Sequence, residues 1–181
     1  MSLAKICLVA AALLAWAAED ARAQAAPVEC GPYNGSYFFD FYPDQYVAVD
    51  RQTGIAWPAG RVAYANKTLA THQWALKSGA KWYQTTPAGA GYTNWRVPSI
   101  AELRAARTHG LVEMLMDVWR LEGEDYVMPS RFGSWASEKA VKGLGPFVWL
   151  DAAPPPDDVV WYSANFHLTG FFLVRNTGAG R

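Results

Sequence analysis

The sequence predicts a mixed α+β fold, a single compact domain with one antiparallel sheet and two helices. Three observations carry that expectation. Short aromatic and β-branched runs lie at both ends of the chain, two helical segments sit between them, and Gly, Pro and Asn clusters separate the runs. Strands, then helices, then strands again argue for hairpin connections rather than a wound parallel sheet.

The chain of 181 residues opens with Lys5, an apolar run from Ile6 to Ala18, and the small-x-small triplet Ala21-Arg22-Ala23. That pattern reads as a secretory signal peptide over residues 1–23. The run is short for a membrane span, so no span is expected after its removal. Residues 24–36, with Pro27, Gly31, Pro32 and Asn34-Gly35, read as a loose leader, and residues 37–181 as the domain. Tyr37 to Tyr42 is the first expected strand. Tyr46 to Val49 and Ile55 to Trp57 then form a hairpin around Asp50-Arg51-Gln52-Thr53-Gly54.

Thr68 to Lys81 reads as the first helix, with Leu69, His72, Leu76 and Ala80 at helical spacing. The second begins at Ser99, because Ser99-Ile100-Ala101-Glu102 is a capping box and Pro98 holds the approach extended. Gly110 stops or bends it, and Leu111 to Leu121 continues as helix. Phe132 to Ser137, Phe147 to Asp151, Val159 to Phe166 and Phe171 to Asn176 complete the strands. They are broken by Gly143-Leu144-Gly145-Pro146, the Pro154-Pro155-Pro156 run and Leu168-Thr169-Gly170.

Charge narrows the function. Lys plus Arg and Asp plus Glu both number 16, and residues 1–23 hold two of each sign, so the remainder is neutral. A nucleic-acid partner, whose affinity comes from surplus cations, is not expected. Cys30 is the only cysteine beyond the signal peptide, so it forms no bridge within the chain. It is a free thiol, a link between two copies, or paired to a small thiol. All nine tryptophans except Trp16 lie beyond residue 23, which favours a core of large flat rings with some left for recognition.

Catalytic constellations are missing from the sequence pattern. His72, His109 and His167 fall in different elements, without the spacing of a zinc site. No nucleophile elbow, phosphate loop or Cys-His arrangement occurs. Glu122, Glu124, Asp125, Asp157 and Asp158 offer oxygens to a calcium ion without the spacing of a ligand loop. No cofactor is therefore expected, with calcium the alternative.

Four phrases in order resemble a known family: "DRQTGIAW" from Asp50, "GYTNWRVPSIAEL" from Gly91, "SWASE" from Ser134 and "VWYSANFHLTG" from Val160. They are similar to the Lcl C-terminal domain family, bacterial secreted domains named after a collagen-like adhesin, and they span nearly the whole domain. The resemblance implies a C-type-lectin-like fold, export to the periplasm or beyond the cell, and adhesive or carbohydrate-binding roles. Its naming member looks like a trimeric binder of sulfated glycans. The family's helix and C-terminal cysteines correspond here to Gly79 and Asn176, and no collagen-like tract is present.

These residues divide into scaffold and candidate site. Trp57, Trp95, Arg96, Pro98, Ser99, Glu102, Trp135 and Trp161 sit within family phrases and are expected to build the scaffold, with Arg96 forking onto a carboxylate or loop carbonyls. Tyr83, Phe147 and Trp149 lie in the less family-like segments and are expected to be exposed, with Arg104 and Arg107 beside them as ligand-binding candidates. Arg96, Arg104, Arg107 and Arg120 would make a locally basic face. The function expected is an exported, non-enzymatic binding module for a glycan or a surface protein. The alternatives are an envelope assembly subunit, a homo-oligomer linked through Cys30 among its forms, and a metal-dependent hydrolase.

Overall fold

The computed structural model describes residues 26–59, 71–86, 92–121, 133–150, 158–164 and 172–177. Residues 1–23, read above as a signal peptide, lie outside them, as do His167, Glu122, Glu124, Asp125 and Asp157. The fold is mixed α+β, and the expected single sheet is in fact two antiparallel ones. The first sheet joins β1 (Val28–Tyr33), β2 (Tyr37–Tyr42), β3 (Val47–Asp50), β4 (Ile55–Pro58) and β8 (Arg175–Asn176) in that spatial order. The second joins β5 (Gly133–Trp135), β6 (Leu144–Trp149) and β7 (Val159–Ser163).

β1 corrects the loose leader expected over residues 24–36. Cys30 points inward opposite Phe39, and Val28 pairs with Phe41. Asn34 and Gly35 both take positive φ, the turn chemistry of a hairpin, so this Asn-Gly pair closes β1 onto β2. The hairpin after it forms around Asp50. Its carboxylate accepts the Gln52 N–H and the Thr53 hydroxyl, each at 2.9 Å.

Helix α1 runs further than expected, to Gln84 rather than Lys81. Thr71 is its N-cap, accepting the Trp74 N–H at 3.1 Å. The helix passes through His72–Trp74, a π-helical stretch at Ala75–Gly79, and Ala80–Gln84. The expected start at Thr68 lies outside the described residues. The second expected helix is two: α2 (Ile100–Thr108) and α3 (Leu111–Leu121), making three helices among the described residues. Gly110 separates them at φ +82, where an added Cβ would meet the Tyr33 Cβ at 2.5 Å, so a side chain is excluded twice over.

The strands present one core on each face. Phe39, Phe41, Ala48 and Trp57 share one face of the first sheet, and Ala136, Val148 and Leu150 join them from the second. Against these pack Leu103 and Ala106 of α2 and Leu111, Met114, Leu115 and Val118 of α3. The opposite faces supply Val47, Ala56, Trp135, Phe147 and Leu173, which pack with Ala75 and Tyr83 of α1 and with Trp95. α1 therefore covers one side of the strands while α2 and α3 cover the other. Among the described residues, no helix is long and apolar enough to cross a membrane.

Candidate functional site

The corner that leads into α2 is held by a dense set of polar contacts. Ser99 accepts the Glu102 N–H, and the Glu102 carboxylate accepts the Ser99 N–H at 2.8 Å. Arg96 forks onto both Glu102 oxygens at 2.8 and 2.6 Å and also donates to the Asn176 side chain. The guanidinium and the backbone donor together hold the Glu102 carboxyl below the usual carboxylate range, against the opposing pull of partial burial. Glu138 adds a second carboxylate, which accepts the Ile100 N–H at 2.8 Å. Trp95, Val97 and Pro98 are buried beneath. Arg96, Ser99 and Glu102 thus spend their polar groups on one another.

The expected basic face is also consumed. Arg104 grips Asp158 with two bonds of 2.8 and 2.7 Å, and Arg107 donates to the same carboxylate at 3.0 Å and to the Trp149 carbonyl at 3.2 Å. Arg120 pairs with Asp117 at 2.8 Å. With Arg96 on Glu102, all four arginines carry a carboxylate partner, which removes the surplus charge an anionic ligand would need. The Asp158 carboxyl is held low, chiefly by Arg104. Arg104 and Arg107 act as the anchor of β7 onto α2.

Three expected ligand residues fall together, but inward. Tyr83 and Phe147 are each 1% exposed, contrary to the expectation that they stand in solvent, and Trp149 is half-buried. The reason is that β6 is covered on both faces, so its apolar residues do not divide into inside and outside. Phe147 lies edge-on to Trp135 at 5.5 Å, to Trp149 at 5.0 Å and to Tyr162 at 6.1 Å. Tyr83 lies edge-on to Trp95 at 4.9 Å, and the Arg175 guanidinium stacks on Tyr92 at 3.7 Å. Half-buried Trp74 and Trp82 pack against the margin of this aromatic core.

Trp161 corrects the reading in the other direction. Placed with the scaffold by its phrase, it is 42% exposed on β7. Leu144 lies opposite Ser163 and Pro146 opposite Trp161, which makes Leu144 and Trp161 diagonal neighbours on one sheet face. Val141 faces Leu144 across the Lys142-Gly143 turn, whose two residues take positive φ. Val141 and Leu144 are exposed as well, so three apolar side chains stand together at one end of the second sheet. The sequence signal was available in part: Lys142-Gly143 between Val141 and Leu144 is a hairpin turn, and it starts β6 earlier than Phe147.

Two further polar sites lie on the first sheet's side of the molecule, at His109 and at Cys30. His109 donates through Nδ1 to Asp50 at 2.6 Å, with Tyr37 stacked on its ring at 4.1 Å. That buried pair ties the β3–β4 turn to the α2–α3 junction. An open cavity of about 390 Å³ lies between β1 and α3, lined by Val28, Glu29, Cys30, Gly31, Tyr33, Asp117 and Arg120. Tyr33 donates to Asp117 across it at 2.9 Å. Cys30 is buried at its floor, and burial with the nearby Asp117 and Asp40 pushes its thiol pKa up. A shielded, protonated thiol is a poor link between copies.

No group of three His, Cys, Asp or Glu side chains able to hold a metal occurs among the described residues. Asp158, one of the calcium candidates, spends its oxygens on two arginines. Comparison with protein-family models, with curated proteins and with solved structures finds no match to this chain.

Proposed function

We propose that this chain is an exported, non-enzymatic binding module of the Lcl C-terminal type, and that Trp161 is the anchor by which it grips a protein surface. The observation that carries the reading is the exposed indole of Trp161 standing beside Leu144 and Val141 on a paired, rigid strand. Large aromatic rings held on a rigid element are the usual centres of binding energy. A sugar is a less suitable partner here. A ring-stacked glycan also needs hydrogen bonds to its hydroxyls, and Leu144 and Val141 offer none from their side chains. Sulfated glycans are disfavoured further, because Arg96, Arg104, Arg107 and Arg120 each hold a carboxylate already. Export through residues 1–23 supplies the compartment, and the fold proposed is C-type-lectin-like.

Trp161→Ser tests the reading. Surface substitutions away from special features change stability by only about 0.5 kcal/mol, so the variant should melt with the parent. Binding to isolated envelope or host-surface protein should fall at least tenfold. Retained binding by the variant rejects Trp161 as the anchor. Binding by the parent to a glycan array, lost in the variant, replaces protein with sugar as the partner. A parent that sediments as a dimer while Trp161→Ser is a monomer would make the partner a second copy, which is the assembly reading.

A further inference from the structure

The outer edge of the second sheet runs beside the apolar patch at Trp161. β7 pairs with β6 on one side, which makes it an edge strand of that sheet. Bonded and non-bonded pairs alternate along an antiparallel ladder, and two bonds set the phase here. The Trp149 N–H donates to the Asp158 carbonyl at 3.0 Å, and the Ala164 N–H to the Gly143 carbonyl at 2.8 Å. Val160 and Tyr162 therefore bond to β6, while Val159, Trp161 and Ser163 aim their backbone groups outward. On the far side of β6 the Ala136 N–H donates to the Pro146 carbonyl at 3.0 Å, so Pro146 faces away from Trp161, as that phase requires. No further strand among the described residues pairs with the outward row.

Strand edges are ordinarily guarded by charge, proline or a bulge, because an unguarded row of backbone groups recruits other strands. β1, the outer strand of the first sheet, is guarded in this way. It carries Glu29 and Pro32, and its register is irregular between Cys30 and Tyr33. β7 reads Val-Val-Trp-Tyr-Ser, without charge or proline, and its register with β6 is continuous from Val159 to Ser163. We propose that β7 accepts an extended segment of a partner protein as an added strand, with an apolar side chain beside Trp161 and acidic residues near Lys142. This rests on the reading that the Trp161 end of the sheet meets a protein, and it names the form that protein takes there.

Strand addition takes its affinity from main-chain bonds and its specificity from the side chains alongside. A residue paired with Trp161 stands on the sheet face that holds Trp161 and Leu144, so an apolar side chain there extends the exposed patch. Charge sets the second requirement. Lys142 sits in the turn between Val141 and Leu144, Lys139 lies just before Val141, and both are exposed. Among the described residues neither has an ion-pair partner, whereas Arg96, Arg104, Arg107 and Arg120 all have one. An acidic segment complements that end of the edge. A second copy of the chain fits it less well: its β7 carries no charge to meet Lys142, and the Asp158 before it is held by Arg104 and Arg107.

The test uses the full chain and a short synthetic peptide of alternating Val and Thr that ends in two Glu residues. One companion peptide ends in two Lys residues, and another carries N-methyl groups on successive backbone nitrogens. The parent should bind the acidic peptide, the Lys-ended one several-fold more weakly at low salt, and the N-methylated one about tenfold more weakly or worse. Ser163→Pro removes an outward N–H and no bond to β6, so it should fold and bind the acidic peptide about tenfold more weakly. Lys142→Glu should reverse the preference between the Glu and Lys ends. No binding of the acidic peptide by the parent, equal binding of the N-methylated one, or a preference unmoved by Lys142→Glu overturns the proposal. A parent that sediments as a dimer while Ser163→Pro is a monomer overturns the choice of partner in favour of a second copy. If Trp161→Ser loses isolated envelope or host-surface protein and Ser163→Pro keeps it, strand addition fails while the Trp161 anchor stands. Should Ser163→Pro fail to fold, the N-methylated peptide against the parent decides alone.

Discussion

The two cores share the same strands but differ in what they leave unsatisfied. Around the core under α2 and α3, most polar atoms are paired. Trp119 donates to the Ala59 carbonyl at 3.1 Å, Tyr33 to Asp117, and Asp50 binds His109, Gln52 and Thr53, while the Trp57 indole nitrogen is the exception. The core under α1 is mostly rings, with the donors of Tyr83 and Trp95 unpaired and half-buried Trp74, Trp82 and Trp149 at its margin. The first arrangement maximises close apolar packing. The second trades some of that saturation for aromatic surface and polar handles, the composition expected where a protein meets something else.

The largest expected effect comes from breaking the saturated core. Leu115→Ala removes a side chain 1% exposed between α3 and the sheet, and should cost about 2–5 kcal/mol in urea denaturation. A loss under about 1 kcal/mol would mean that this core is no better packed than its partner. The next effect tests the aromatic side. Gly145 on β6 lies against His72, and an added Cβ would meet the imidazole Cγ at 2.5 Å. His72 is itself fixed by its bond to the Ala136 carbonyl at 3.0 Å, so Gly145→Ala should cost about 1–3 kcal/mol by overpacking. A neutral result would show that α1 slides easily and that the aromatic core is the softer one.

The smallest effect concerns the corner that joins the two. Arg96 lowers the Glu102 pKa, so the pair's stabilisation is present above the ordinary glutamate value of about 4.3 and is lost as pH falls below it. Because the Arg96 side chain is 42% exposed, solvent screens the pair and the contribution should be about 1 kcal/mol or less. Glu102→Gln should therefore lower Tm slightly in the neutral region, leave it little changed at acid pH, and so flatten the acid limb of the Tm-against-pH curve. An acid limb identical to the parent's would assign acid sensitivity to Asp158 instead.

Local rules made part of this legible. The capping box at Ser99 and Glu102, the stop at Gly110 and the turn at Asp50 to Gly54 each lie within a few residues, where backbone geometry and side-chain reach settle the outcome. The same rules apply at Asn34-Gly35, but Gly31 and Pro32 interrupt the apolar pattern of β1 and hide the strand before that turn. The helix of α1 was legible as a helix but not as a π-helical one, since its stripe is weak and Gly79 fits either winding.

What the sequence determined by itself was the class of fold, the order of its elements and the local devices that start and stop them. Only the tertiary structure decided that Tyr83 and Phe147 turn inward while Trp161 turns out, and that four arginines are already paired. The physical reason is coverage. A strand's alternation separates its two faces, but helices cover both faces of these sheets, so alternation cannot say which face meets water. The partners of Arg104 on Asp158 and of Arg96 on Asn176 likewise lie far along the chain, and only folding brings them within 3.2 Å.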